Sequence, residues 1–197
     1  MNNFHSPKEV AEAYDNISVS KAKNSITNLF ILGVLAGIYI AFAGFASQTI
    51  SYTIKNPGLS KFASGAVFPV GLILVVLAGA ELFTGNNLMI IGFMDKKISF
   101  SELLRNWIVV YIANFIGSVL FAFLISRSGL FDSAGGLLGA TAIKTAIAKV
   151  SLPFSQALIR GLLCNIMVVL AVWMATAAKD IVSKISAIWF PIMLFVM

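Results

Sequence analysis

A bilayer-spanning helix takes about 20 mostly apolar residues, and the chain breaks into five blocks that approach or exceed that length. Residues 26–50 contain no charge, 62–94 contain one (Glu81), 106–126 and 161–178 contain none, and 185–197 carries the pattern to Met197. Ahead of them, Ser6, Pro7, Lys8 and Glu9 have the form of a helix start: a hydroxyl at the cap, Pro in the first turn, and Glu three residues after the Ser. Val10, Tyr14 and Ile17 then form one apolar stripe. This predicts an amphipathic helix within residues 1–25, lying on the membrane or under the first span. That segment lacks the apolar run of a signal peptide.

The second block is too long for one span and too short for two. Its middle reads Ala80, Glu81, Leu82, Phe83, Thr84, Gly85, Asn86, Asn87. A carboxylate, a Gly and two Asn at that depth are costly unless partnered. Irregular backbone survives there only when buried in protein or lining a cavity. The pattern predicts a helix over 63–81, a break at 82–86 and a half-helix to 93, the alternative being one kinked helix. Phe68 and Pro69 recur as Phe190 and Pro191 in the fifth block. An odd number of spans per repeat inverts the second copy, so the sequence suggests an inverted repeat with paired broken helices. A chain ending at Met197 leaves a carboxylate in hydrocarbon, so the sequence is expected to be truncated or to continue beyond it.

Segment 127–160 is not a plain loop. Gly129, Gly135, Gly136 and Gly139 mark turns, 140–150 reads as a short helix, and Pro153 is read as its end. The remaining domain, 26–197, is then a bundle with spans at 26–50, 62–94, 106–126, 161–178 and an incomplete 185–197. Gly33 and Gly37 in the first span allow a close helix contact.

Composition adds exclusions. Of 197 residues, 59% are hydrophobic and 11% charged, against about 45–50% and about 25% in soluble domains; mean hydropathy is +0.93. The net charge of +6 comes from scattered cations with no basic tract, which argues against a nucleic-acid partner. One His, one Cys and one intramembrane acid leave no metal site and no catalytic cluster, so neither an enzyme nor a cofactor is expected. The basic residues divide unevenly. Eight (Lys8, Lys21, Lys23, Lys96, Lys97, Arg105, Lys179, Lys184) share the side of the N-terminus and six (Lys55, Lys61, Arg127, Lys144, Lys149, Arg160) the other, which favours a cytoplasmic N-terminus.

Two strings carry a resemblance: Ala80 to Asn86, and Leu163, Cys164, Asn165 running on through Leu170, Ala171, Val172, Trp173 and Met174. Together, with Lys149 ahead of the fourth span, they resemble the formate–nitrite transporter family over essentially the whole chain. The resemblance implies an all-α polytopic membrane protein with an aquaporin-like six-helix inverted repeat, its second and fifth transmembrane helices broken and the chain ending within the fifth. It also implies a homopentamer in the bacterial inner membrane and passage of small monovalent anions such as formate, nitrite or hydrosulfide. By position, Phe68, Leu72 and Leu82 would form an inner constriction. Phe83, Val168 and Phe195 would form an outer one. Thr84, Asn165 and Lys149 would supply polar contacts, and Glu81, Gly85 and Asn86 would hold the break. The family's Glu-His pair would lie beyond Met197.

The chemistry suits that implication. Apolar rings exclude hydrated ions, while a hydroxyl, an amide and a lysine offer donors and positive charge to an anion. A weak acid that picks up a proton crosses an apolar ring cheaply, so proton-linked passage is expected. The bland readings stand beside these: ring residues as core or lipid-facing side chains, Thr84 bonding a carbonyl one turn back, Asn165 as interhelical glue, Lys149 as a solvated cation, Cys164 as a small buried hydrophobe. Glu81 reads as structural, accepting N–H groups of the broken backbone. The competing function is an aquaporin-like pore for water or neutral solutes.

Overall fold

The computed structural model of the protein describes residues 4–197; residues 1–3 of the N-terminal segment lie outside the described residues. Helix α1 (Pro7–Lys23) starts at a capping box. The Ser6 hydroxyl accepts from the Glu9 N–H, and the Glu9 carboxylate accepts from the Ser6 N–H at 2.6 Å. Its buried side, Val10, Tyr14, Ser18 and Ala22, recurs every fourth residue.

Helix α2 (Ile26–Ser51) follows directly, capped by Ser25. The second block begins at α3 (Pro57–Val67), which Asn56 caps, and continues as α4 (Val70–Leu74) and a π-helical turn at Val75–Gly79. The backbone is then extended at Ala80 and Leu82. It re-enters helix as α5 (Phe83–Asn86), passes a 3-10 turn at Asn87–Met89 and finishes as α6 (Ile90–Met94). The irregular stretch therefore lies at 79–82, ahead of the 82–86 expected from Gly85 and Asn86. Gly79 sets it: its φ of +83° is open to a residue without a Cβ.

Helix α7 (Phe100–Arg127) starts at a second capping box, from Ser99 and Glu102. After a 3-10 turn at Leu130–Asp132, α8 (Ser133–Val150) opens with left-handed residues at Ala134, Gly135 and Gly136. Pro153 does not end that helix; it stands at the start of α9 (Phe154–Ala177). Helix α10 (Ile181–Val196) is capped by Asp180 and contains Pro191.

Several helices begin before their apolar blocks do: α3 takes in Lys61, α7 takes in Arg105, and α9 takes in Arg160. Caps and prolines fix a helix start, whereas hydropathy marks only where lipid begins. Ile26–Ser51, Pro57–Gly79, Phe100–Arg127 and Phe154–Ala177 are long and apolar enough to cross a membrane; Ile181–Val196 is shorter.

Helices α2 and α7 cross at backbone contact. A Cβ added to Gly37 would lie 2.1 Å from the Asn114 carbonyl oxygen, and one on Gly117 would lie 2.1 Å from that of Val34. The Ser118 hydroxyl closes the crossing by donating to the Gly37 carbonyl at 3.2 Å. Around this pair, α3, α4, α9 and α10 enclose an apolar cluster centred on Ala36, Leu72, Val168, Ala171, Ile188 and Ile192. Large apolar side chains such as Phe115, Phe154 and Phe190 point outward, while Glu81, Asn86 and Asn106 are buried. The apolar exterior is what sets this arrangement apart from a soluble domain's.

Candidate functional site

At the interruption the helix leaves backbone groups without partners, and hydrocarbon supplies none. Neighbouring helices provide them. The Glu81 N–H donates to the Leu32 carbonyl of α2 at 3.2 Å. Asn114, midway along α7, does most of the rest. Its side-chain oxygen accepts from the Phe83 N–H at 2.9 Å, and its amide nitrogen donates to the Glu81 carbonyl and to the Gly33 carbonyl, both at 2.8 Å.

The Glu81 carboxylate has a different task from the one expected. It accepts from two side chains rather than from backbone: Lys21 Nζ at 2.7 Å and Asn86 Nδ2 at 2.6 Å. Asn86 Nδ2 also donates to Asn106 Oδ1 at 2.8 Å, and Trp107 Nε1 donates to the Asn86 carbonyl at 3.0 Å. A mid-block carboxylate thus gains a cation from α1 and one amide from α5, which α7 in turn holds through Asn106 and Trp107, and this meets the demand that a buried charge be paired.

Those bonds also dock α1. The Arg105 guanidinium donates to the carbonyls of Ala22 and Asn24. Gly92 lets α6 close on α1, since a Cβ there would lie 2.5 Å from that of Ser18. At the other end the His5 N–H donates to the Ala177 carbonyl, the Tyr14 ring stacks on Trp173 at 6.1 Å, and its hydroxyl shares a hydrogen bond with Thr176 at 3.3 Å. Burial raises the Tyr14 hydroxyl's pKa above its ordinary value, the bond to Thr176 opposing it.

Among the described residues, the first and third of the following cavities border the interruption. The first, about 450 Å³, lies under α1 and includes Lys21, Leu72, Gly79, Glu81, Leu82, Gly85 and Asn86. The second, about 860 Å³, includes Phe68, Thr141, Lys149, Arg160 and Phe195; its lining holds two cations and no carboxylate. The third, about 270 Å³, lies between α2 and α7 and includes Leu82, Phe83, Thr84, Tyr111 and Asn114.

The residues singled out in the sequence are partly gathered. Leu72, Leu82, Val168, Phe68 and Phe195 share one apolar cluster, with Cys164 packed against it. Within it the Phe68 and Phe195 rings meet edge to face at 5.7 Å, so one member of each expected ring touches the other. Phe83 lies apart from Phe195, packed on Tyr111 at 5.2 Å and Trp107 at 6.3 Å. Thr84 shares its cavity and Lys149 lines the second one. Asn165 Oδ1 is buried with no hydrogen-bond partner among the described residues, so no interhelical bond runs through that atom. A Cβ on Gly85 would meet only Val172, at an ordinary 3.6 Å.

Asn114, Asn106 and Arg160 escaped the sequence reading. The first two sit in a block read only for its length, although an amide at that depth is itself a signal of a partner. Arg160 was counted only as a loop cation, yet it faces the cavity of Lys149.

A family model described as formate/nitrite transporter matches residues 8–197. A probable formate transporter of Methanothermobacter thermautotrophicus is 40% identical, over 98% of this chain and 77% of its own. The formate channel FocA of Escherichia coli (strain K12) is 33% identical, over 96% of this chain and 67% of its own. Among solved structures, a pentameric formate channel with formate bound aligns with a TM-score of 0.78 at 35% identity, covering 87% of this chain and 68% of the other. An FNT family ion channel aligns at 0.84 and 27% identity, covering 96% and 76%.

Proposed function

The chain belongs to the formate/nitrite transporter family, a family of membrane transporters and channels rather than enzymes, and from that premise we propose that it passes small monovalent anions of weak acids, formate first among them. The observation that carries the reading is the second cavity: Lys149 and Arg160 face a space with no carboxylate in its lining, bounded by the Phe68 and Phe195 rings. Unopposed positive charge concentrates anions, and the low dielectric around it strengthens the effect.

In this reading the anion enters that cavity, meets Lys149, and passes an apolar neck made by Phe68, Leu72, Val168 and Phe195. Leu82 narrows the path before the cavity under α1. Phe83, Thr84 and Asn165 serve the central chamber once the helix interruption turns toward the path. A bare carboxylate is costly to carry through such a neck, whereas the neutral acid is not, so passage is proton-linked. Glu81, Gly85 and Asn86 keep the interruption in place.

The assembly that goes with this reading is a homopentamer with one path per subunit in the plasma membrane, each subunit an aquaporin-like inverted repeat of six spans with a second interruption in the fifth. The N-terminal helix lies on the cytoplasmic side. Relatives described as formate channels and a pentameric structural neighbour support it. The test is uptake by proteoliposomes of formate, nitrite and hydrosulfide against glycerol. Rapid formate entry that is lost in Lys149→Ala is expected; glycerol entry without anion entry sinks the reading and favours a pore for neutral solutes.

A further inference from the structure

Among the described residues, Leu82 alone lines both the cavity under α1 and the cavity between α2 and α7. It is therefore the partition between them. The two peptide groups that flank it are both held by a single amide: Asn114 donates to the Glu81 carbonyl before it and accepts from the Phe83 N–H after it. The same amide nitrogen is anchored on the Gly33 carbonyl of α2. Asn114 is itself fixed, because α2 and α7 touch backbone to backbone at this point and the Ser118 hydroxyl donates to the Asn114 carbonyl at 2.9 Å.

Resting on the anion-channel reading, we propose that Asn114 is a positioning residue that sets the aperture at Leu82 and thereby the size of anion the protein admits. The argument is geometric. An extended stretch has no internal hydrogen bonds to fix it, so its position is that of its external partners. Two of those bonds converge on one side chain, and a third ties that side chain to α2. The chemistry also needs an amide: only Asn or Gln offers a carbonyl oxygen and an NH₂ on one planar group, and Gln is one methylene longer than the crossing allows. Without the amide, the Leu82 side chain is free to move with its backbone, and discrimination by size falls before passage does.

The experiment compares formate with lactate uptake in proteoliposomes of the whole protein, with hydrogen exchange at the Phe83 amide read in parallel. In Asn114→Ser the formate-to-lactate ratio falls about fivefold, the factor that accompanies loss of one neutral hydrogen bond, and the Phe83 amide exchanges faster. Leu82→Ala, the control, lowers the ratio with Phe83 exchange unchanged. A folded Asn114→Ser with the parent ratio overturns the proposal, whatever its exchange, as does an equal loss of both anions. If Asn114→Ser does not fold, Asn114→Asp is read by the formate-to-lactate ratio alone, since it keeps the acceptor for Phe83 and loses the donor to the Glu81 carbonyl. If the parent protein admits neither anion, the channel reading fails, and exchange at Phe83 alone decides whether Asn114 is the clamp.

Discussion

Lys21 and Glu81 are 60 residues apart in sequence and 2.7 Å apart in space, and the pair is mostly withdrawn from solvent. Replacing one partner leaves a charge without its complement. Lys21→Met is expected to lower stability by about 3 kcal/mol, somewhat less than full burial would bring. The double variant Lys21→Met, Glu81→Gln should recover part of that loss, because the buried charge is gone while Asn86 keeps an acceptor. Thermal unfolding in detergent across the four proteins checks this; strictly additive losses would show that the two side chains do not interact. Gly37→Ala tests the helix crossing. Its new methyl has nowhere to go against the Asn114 carbonyl, and a loss of about 3 kcal/mol or more is expected from overpacking. At this scale the sequence exposes cost more readily than its remedy. Glu81 stands out because a lone acid in an apolar block needs a partner, but nothing local says that the partner is Lys21. Asn114 signals only that an amide at that depth needs some partner; its role exists only where α2, α7 and the interruption meet.

Elements are more legible where their chemistry is local. The start of α1 can be read from Ser6, Pro7 and Glu9 because a capping box uses four consecutive residues. The starts of α7 and α9 cannot be read from apolar blocks, since Ser99 and Pro153 set them. The irregular stretch lies earlier than the sequence predicts for a similar reason: Gly85 and Asn86 attract attention, but the backbone turns at Gly79, just ahead of Glu81 and Phe83, to which α2 and α7 offer partners. Caps also give α1 and α10 a pH dependence. The Ser6 backbone N–H and then its hydroxyl hold the Glu9 carboxyl below its ordinary pKa, and the Ser183 hydroxyl and then its N–H do the same for Asp180. For a depressed carboxyl, the stabilisation is present above the ordinary value and is lost as pH falls through the lowered one. Both helix starts should therefore fray as pH falls through and below the ordinary carboxylate range, read as faster amide exchange after temperature and intrinsic-rate correction. Exchange at the Glu9 amide that tracks the intrinsic rate unchanged over that range would refute this. Removal of residues 1–22 is a larger perturbation. It takes away Lys21 and uncovers the cavity under α1, so the pH response of uptake should change; an unaltered response would exclude α1 as a gate.

For the whole molecule, the outward faces are apolar, and the few polar side chains at membrane depth are held inside, beside an apolar core. Phe115 and Phe154 are largely exposed while Asn106 is fully buried. Faces of this kind are covered by lipid or by a second copy of the chain. A pentamer in mild detergent, measured by light scattering, is the expected outcome, and a stable monomer that still carries formate would show that each path is complete within its subunit. The sequence makes the membrane class plain, because composition is a sum over all residues. It is silent on which apolar faces meet lipid and which meet protein, since both environments accept the same side chains.

The dependence of the interruption on Asn114 has a consequence in time. The chain is made from its N-terminus, and Asn114 follows Glu81 by 33 residues. The second block is therefore synthesised before the side chain that holds its extended stretch. Until α7 is inserted, residues 79–82 have backbone groups with no amide to receive them, and the economical state for them is continuous helix or residence near the translocon's water. The order of synthesis thus makes α7 the element that opens the second block. A released, membrane-inserted fragment that ends before residue 114 should show a cysteine introduced at residue 82 in a different labelling state from one that extends well beyond α7. Identical labelling in the two would mean that the interruption forms on its own.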